Sequence, residues 1–591
     1  TVGIVDMDSP LLAGNMDHFE TLISKLVKKG LNVIPVVGAY SGTNGTQPLN
    51  VYSAMVKFFV YNPAKPNSVV TTTQYEAKPQ NFKYRVDSLV SFYTFSLGSG
   101  FIDQTNALLE NMNVPAFRAM TSTKRTEGEW LVSDDGLLWS DTYYQIAVPE
   151  TQGIIEPIFV ATTEITSDSV TGANLTSYKA IPDRMDKLAA RIKNWTDLKY
   201  MDNSNKNIAL IYYNYPPGKQ NIGASYLNVP ESILQILNQL KKEGYTVTDI
   251  PKTSDQLIKL MIERGINVAN WAPGELEKLA NNPNTILWDA KEYDAWFKSL
   301  NPVAQKQITE GPVGYIEEMT KIAVKYGKTD ETAKKAGIKT VEKWAQEMIS
   351  LANTYPEKSK KAVSLINKMC SALKNVISGN STSWDSFYTA KNAFLALAIP
   401  GLTGWGKSPG NIMTITKNGK KYIVIPGMKF GNVFIGPEPQ RGWEADASKF
   451  YHSTIVPPHH QYLAWYAWIN QKLKADAQVH LGRHASYEWL PNKQVALSSF
   501  DYSDIMIGDT PSAYIYIIDG VGEGMQAKRR GLGVIIDHLT PPLKTTTLYG
   551  GFIELKGLID DYEKTPAGNP MKEEYMTQLK QKIKEMHLET D

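Results

Sequence analysis

Twice in this chain a short apolar run gives way to a helical spacing of apolar residues and then to a second run with strand character. Residues 2–5 are the first such run, residues 18–29 carry Phe19, Leu22, Ile23, Leu26 and Val27 at helical intervals, and residues 32–37 return to a strand pattern. The order recurs at 207–213, at 230–243 with Ile233, Leu234, Ile236, Leu237 and Leu240, and at 245–250. A strand–helix–strand unit buries its apolar faces by laying the helix on a parallel sheet, so two α/β domains are expected.

At 591 residues the chain exceeds what one core fills, and about three to five domains follow from a length of roughly 100–200 residues each. The fold class expected is multidomain α/β, with several Rossmann- or flavodoxin-like units, a helical insertion and a region containing a β-hairpin. The boundaries drawn from the pattern are 1–165 and 166–310 for two α/β domains, 311–400 for a Lys- and Ala-rich helical insertion, and 401–591 for the remainder. In that last segment Asn418-Gly419 separates two β-rich runs between Asn411 and Ile425, the pairing that favours a type I′ turn. After Pro541 the pattern is again helical, and no apolar stretch approaches the roughly 20 residues of a membrane-spanning helix.

Lys and Arg total 62 against 60 Asp and Glu, so no global basic field exists for nucleic acid, and none is expected as a partner. Cys370 is the only cysteine, which removes intrachain disulfides and Cys-based metal sites and leaves metal chemistry to His and carboxylates. Thr1 in place of an initiator Met marks a processed or trimmed start, so a removed signal peptide stays open. Sequons at Asn44, Asn174, Asn194 and Asn380 and a charged fraction of 21% lean the same way.

Six of the eight histidines, His452, His459, His460, His480, His484 and His538, fall within fewer than ninety residues. Histidine titrates nearest neutral pH and binds borderline divalent metals, so the cluster suggests proton transfer, metal binding or both. The plainer alternative is a set of separate packing and surface histidines. His480, His484 and Glu488 are spaced to share a helix face. Residues 476–481 have strand character, however, and Gly482 and Pro491 bracket the segment, which favours a strand-to-loop site.

Gly522-Glu523-Gly524 precedes Lys528-Arg529-Arg530, a pairing of close backbone approach with cations suited to carboxylates or phosphates, although such a run is also common on a solvated helix face. Gly401-Leu-Thr-Gly-Trp-Gly406-Lys407-Ser408 fits the P-loop pattern in spelling alone. A working P-loop opens a helix with its Lys-Ser, whereas Pro409-Gly410 follows here and 411–416 has strand character. No ATP hydrolysis by this chain is expected.

From His480-Leu-Gly-Arg-His484 through Glu488-Trp489-Leu-Pro491 the chain resembles the large subunits of ATP-dependent metal chelatases, the cobaltochelatase and magnesium-chelatase H family. Gly508-Asp509-Thr-Pro511, Tyr514-Ile-Tyr516, Gly522-Glu523-Gly524 with Gln526-Ala-Lys-Arg-Arg530, and Ile535-Ile-Asp537-His538-Leu-Thr-Pro-Pro542 stand in the family's order. Asn214-Tyr-Pro-Pro-Gly218-Lys219, Ala147-Val-Pro-Glu150, Gly431-Asn432 with Pro439-Gln-Arg441-Gly442, and Pro457-Pro-His459 extend the likeness upstream.

The resemblance implies insertion of a divalent metal, cobalt in preference to magnesium, into a corrin- or porphyrin-type macrocycle. It also implies an AAA+ ATPase subunit that uses the ATP and an adaptor subunit as partners, a cytoplasmic location, and residues 401–591 as the tetrapyrrole and metal segment. It assigns metal delivery and proton abstraction to His480, His484 and Glu488, with Glu488 as the base. Glu523, Lys528, Arg529, Arg530, His538 and His459 are implied to hold the macrocycle. A second reading is a noncatalytic, exported or cell-surface binder of a tetrapyrrole or metallocofactor. It is carried by Arg483, which adds a cation beside the metal position, and by the low charge content.

Overall fold

The computed structural model describes residues 1–40, 49–214, 222, 227–268, 274–442, 450, 453–482, 486–517, 520–539, 551–566, 568–586 and 588. Residues 1–538 form one compact unit and residues 539–591 a second.

The first sheet is built from contiguous sequence. Its strands are β1 (Val2–Met7), β2 (Val33–Gly38), β5 (Ser88–Ser91), β6 (Ala116–Thr121), β7 (Ile155–Ser167) and β8 (Asn174–Ala180), with β3 (Val60–Tyr61) and β4 (Lys83–Tyr84) forming a small separate pair. The order β2-β1-β5-β6-β7-β8 is parallel except for the antiparallel edge strand β8. Its first five strands follow the 2-1-3-4-5 flavodoxin-like order.

The second sheet repeats that order from scattered sequence. After β9 (Ile208–Tyr212) come β10 (Ile286–Asp289), β11 (Thr414–Lys417) and β12 (Lys420–Ile425), which make a three-stranded sheet of their own. The remaining strands are β13 (Met428–Phe430), β14 (Val433–Pro437), β15 (Ala477–Leu481), β16 (Ser512–Ile517) and β17 (Gly533–His538), arranged β13-β14-β9-β15-β16-β17. From β14 to β17 every pairing is parallel. All five residues of β9 are buried, as a parallel strand covered on both faces requires. Ile208, Leu210 and Tyr212 face Ile233 and Leu237, and Ala209 and Ile211 face the main core.

Two expectations need correction. Residues 245–250 form no strand. Both edges of β9 are taken, by β14 and β15, and residue 246 instead lies along the β13–β14 turn, its carbonyl accepting from Asn432 N at 2.9 Å. The boundaries at 166–310 and 401–591 cut through the second sheet, because β9 comes from one segment and its partners from the other. The hairpin at Asn418-Gly419 is present, with Lys417 opposite Lys420 and both turn residues at positive φ, 51° and 72°.

The helix Pro182–Tyr200 joins the two sheets. Its apolar face, Met185, Leu188 and Ile192, lies in the core that also contains Val2, Val90, Ile211 and Trp465. Arg184, Lys187 and Arg191 recur at helical spacing and reach the segment before β16. Arg184 pairs with Asp504 at 2.8 Å, while Arg191 holds Glu156 at 2.7 Å and donates to Thr510 O at 2.9 Å.

The stretch expected to be a helical insertion carries the helices Pro312–Tyr326, Glu331–Ala352, Pro356–Ile377 and Ser383–Leu395. Pro312 and Pro356 sit in first turns, where no donor is lost, and the Asp330 carboxylate caps Thr332 N and Ala333 N. Glu317, 2% exposed, is the electrostatic centre of the block, with Lys306 at 2.5 Å, Lys391 at 2.6 Å and Lys321 at 2.8 Å. Burial pushes its carboxyl up, but the three ammonium groups outweigh this and bring it down to about 2. A depressed acid contributes stability above its usual value of 4.5 and loses it as pH falls towards 2. Glu317→Gln is therefore expected to cost about 3 kcal/mol at pH 7. In chemical denaturation the gap between parent and variant should close on acidification from pH 5 towards pH 2, and a gap that does not narrow would count against this ion cluster.

In the second unit the helices Gly551–Lys564 and Pro570–Glu585 pack as a pair, linked by an ion pair between Lys582 and Glu554.

Candidate functional site

Ligands of open α/β sheets bind beyond the carboxyl ends of the strands where the strand order reverses. In the second sheet that point lies around β9, with β14 on one side and β15 on the other. Three of the residues argued from sequence or found here come from this edge.

Glu438 directly follows β14 and was not among the residues expected from sequence. Its backbone N–H continues the ladder to Tyr212 O at 2.8 Å. Its carboxylate accepts four hydrogen bonds: from the Tyr462 and Tyr466 hydroxyls at 2.8 and 2.7 Å, and from the backbone N–H groups of Ser486 and Tyr487 at 2.6 and 3.1 Å. Complete burial raises its carboxyl to about 7 against the pull of those donors. The two tyrosines sit one turn apart on the helix His460–Trp468, which is buried all round, as its apolar HQYLAWYAW sequence demands.

His480 lies near the end of β15. Its ring stacks on Tyr487 and Tyr514, with centroids 4.8 and 5.0 Å away and interplanar angles of 25° and 15°. Burial alone lowers its pKa to about 3, so the imidazole is neutral at physiological pH. Both of its ring nitrogens are buried and have no hydrogen-bond partner among the described residues. Leaving such a group unsatisfied costs about 1–3 kcal/mol, and a native interior rarely tolerates it without a ligand or a functional reason.

Glu488 stands in the short turn Tyr487–Trp489, fully buried, with Oε1 accepting from the Tyr514 hydroxyl at 3.1 Å. Tyr514 thus touches both His480 and Glu488, and a strand-to-turn arrangement replaces any helical stripe. Arg530 clamps the turn by donating to the carbonyls of Glu488 and Leu490 at 2.5 and 2.6 Å. Tyr487 ties it to Gly531 O at 2.9 Å, an approach so close that a Cβ at Gly531 would meet the hydroxyl.

The other expected residues are placed as follows. His484, Arg483 and His452 lie outside the described residues, as does the side chain of His538, whose backbone ends β17. His459 is buried and caps the helix His460–Trp468, its Nδ1 accepting from Tyr462 N at 3.2 Å, and burial lowers its pKa to about 3. Glu523 accepts from the Tyr516 hydroxyl at 2.9 Å. Arg529 makes a bidentate pair with Glu150, both contacts at 2.9 Å, and Arg530 is spent on the turn just described. Lys528 lines a cavity of about 210 Å³ at the end of β16, together with Tyr516, Gly520, Gly524 and Asp537. Among the described residues no three His, Cys, Asp or Glu side chains are grouped to hold a metal ion.

A family model described as CobN/Magnesium Chelatase matches residues 1–328 and 401–591. The unmatched stretch coincides with the last three helices of the helical block. Among curated relatives, the chain is 27% identical over 567 residues to the magnesium-chelatase subunit ChlH of Oryza sativa subsp. indica, covering 95% of this chain and 31% of that one. It is 25% identical over 594 residues to the aerobic cobaltochelatase subunit CobN of Sinorhizobium sp, covering 100% and 36% respectively. An uncharacterized protein of Methanocaldococcus jannaschii is 29% identical over 580 residues, covering 97% and 37%. The chain thus spans about a third of the length of these relatives. The solved catalytic subunit of cobaltochelatase from Mycobacterium tuberculosis matches in fold, with a TM-score of 0.60 and 22% identity over 99% of this chain and 39% of that one.

Proposed function

The chain belongs to the CobN/magnesium chelatase family, and from that premise we propose that it carries the metal- and macrocycle-handling site of a chelatase large subunit. The reaction is insertion of a divalent metal, cobalt in preference to magnesium, into a corrin- or porphyrin-type tetrapyrrole. An AAA+ ATPase subunit and an adaptor drive it with ATP. The observation that carries this reading is His480, a buried, neutral imidazole whose two nitrogens have no partner among the described residues, and whose ring packs on Tyr466 and Tyr514, the tyrosines that bond the buried Glu438 and Glu488.

Insertion needs a ligand that strips water from the cation and yields it to the ring, and bases for the two pyrrole protons. A neutral imidazole offers a lone pair without first losing a proton. His480, with His484, takes the metal. Glu488 accepts a pyrrole proton or ligates the incoming cation, with Tyr514 orienting it through one oxygen. Glu438 holds the backbone of Ser486 and Tyr487, and so fixes the turn that carries Glu488. Lys528 receives a carboxylate or amide from the macrocycle's edge in the cavity at the end of β16, which is large enough for a substituent and too small for the ring. The aromatic set Tyr466, Tyr487 and Tyr514 around His480 keeps water out and strengthens each charge contact.

Absorbance titration with a corrin precursor and with protoporphyrin tests the reading. A saturable spectral change with at least one of them is expected. No change with either up to about 1 mM, which corresponds to about −4 kcal/mol of binding, would overturn it.

A further inference from the structure

The glycine-rich segment that only spells a P-loop has a structural purpose. Gly404 has φ 77°, and a Cβ there would sit 2.5 Å from Gly311 N and from Thr309 O. Trp405 N and Gly406 N donate to Ile308 O and Thr309 O, so the loop is stitched to the end of the helix Pro302–Glu310. No helix follows Ser408, and β11 is the next element. The backbone cradle of a nucleotide-hydrolysing loop is therefore missing.

What the loop does build is one wall of an open cavity of about 550 Å³. Lys407, Ser408 and Pro409 form that wall, and the helix Ala290–Phe297, its C-cap Lys298, the helix Pro302–Glu310 and β12 supply the rest. The charges facing the cavity are Lys291, Asp294, Lys298, Lys407 and Lys421. Asp294 is neutralised by Lys298 at 2.6 Å. Lys291 and Lys407 have no ion-pair partner among the described residues. Lys421 donates to Gly410 O at 2.6 Å and to Asn411 Oδ1 at 3.0 Å, which uses two of its three N–H groups. The Ser408 hydroxyl is buried without a partner among the described residues. Three ammonium groups thus line one cavity without an ion-pair partner among the described residues, an arrangement that an anion relieves.

We propose that this cavity is a binding site for a polyphosphate, inorganic or as the polyphosphate group of an organic ligand, separate from the metal-insertion site. The cations lining the cavity are all lysines, point charges without the planar fork of arginine, so the site selects for density of negative charge, which a polyphosphate supplies in a small volume. The volume falls within the range of small-molecule sites and exceeds what one phosphate fills. Phosphate is held by Lys291, Lys407 and the remaining N–H of Lys421, with the Ser408 hydroxyl as a neutral donor. The site does not hydrolyse its ligand.

Calorimetric titration of the full chain with inorganic pyrophosphate at low ionic strength tests the proposal, with citrate as a polycarboxylate of comparable charge. Saturable pyrophosphate binding is expected, weaker citrate binding, and at least about a tenfold loss of pyrophosphate affinity in the Lys291→Ala/Lys407→Ala double variant. Both lysines are exposed, so folding is not at stake. Lys472→Ala, outside the cavity, should bind like the parent. No saturable binding up to about 1 mM, or undiminished binding in the double variant, overturns the site. Citrate binding as tight as pyrophosphate overturns the assignment to phosphate.

Discussion

Replacing Glu488 with glutamine is expected to leave macrocycle affinity close to that of the parent and to cut metal insertion by about 10²–10⁴-fold, the span typical of a lost general base. The side chain is fully buried, and its Oε1 accepts from the Tyr514 hydroxyl, a bond that a glutamine oxygen can still accept. The backbone of the turn is held independently by Arg530 and Tyr487, so the substitution changes charge and basicity without releasing the segment. The measurement is an insertion assay with ATPase and adaptor subunits present, alongside an absorbance titration for binding. Unchanged insertion in a folded variant would remove Glu488 from the chemistry and transfer the proton to His480 or His484.

Glu438 should show the opposite profile. Its two oxygens accept four hydrogen bonds, two of them from backbone N–H groups that cannot turn away. Glutamine replaces one oxygen with a donor, which then opposes another donor, and the remaining oxygen cannot serve all four. Glu438→Gln is expected to destabilise the chain by about 2–4 kcal/mol and to weaken macrocycle binding and insertion together, because the Ser486–Tyr487 backbone loses its anchor. Thermal denaturation and the same titration measure both. Parent-like melting would show that the four contacts contribute little.

The two predictions also mark how far the sequence could be read. The strand-to-turn setting of His480 and Glu488 was legible because strand character, Gly482 and Pro491 define it within a dozen residues, while the roles given to them rest on the family resemblance. Glu438 was not, although a signal existed: it is the lone charge after the apolar run of β14, between Pro437 and Pro439, where a carboxylate has no local reason to be. Its donors lie on a helix and a turn more than twenty residues on, beyond any periodicity. The partner of the basic run was out of reach for the same reason, since the carboxylate that takes Arg529 is Glu150, 379 residues away in sequence. His459 and His460 added to an apparent cluster, yet one caps a helix and the other bonds Tyr293 and Gly406 O. Strands and helices were visible from periodicity, whereas the partner of β9 was not, because parallel pairing leaves no trace of which distant apolar run lies alongside.

That pairing sets an order on synthesis. Every strand of the first sheet has emerged by residue 180, so this half can condense while the ribosome is still working. β9 emerges soon after, but its neighbours β14 and β15 come more than two hundred residues later. At about 5–20 residues per second, a fully apolar strand waits roughly 10–45 s with both edges open. An open apolar edge templates aggregation, so the nascent chain passes through a vulnerable interval that the finished fold conceals. The helices of 312–395 are made within that interval and pack on one another and on residues 126–134, which are already made, as the Thr340 bond to Val132 O and the Lys343–Asp134 ion pair show. A shorter connection between β9 and β14 would reach the same sheet with less exposure.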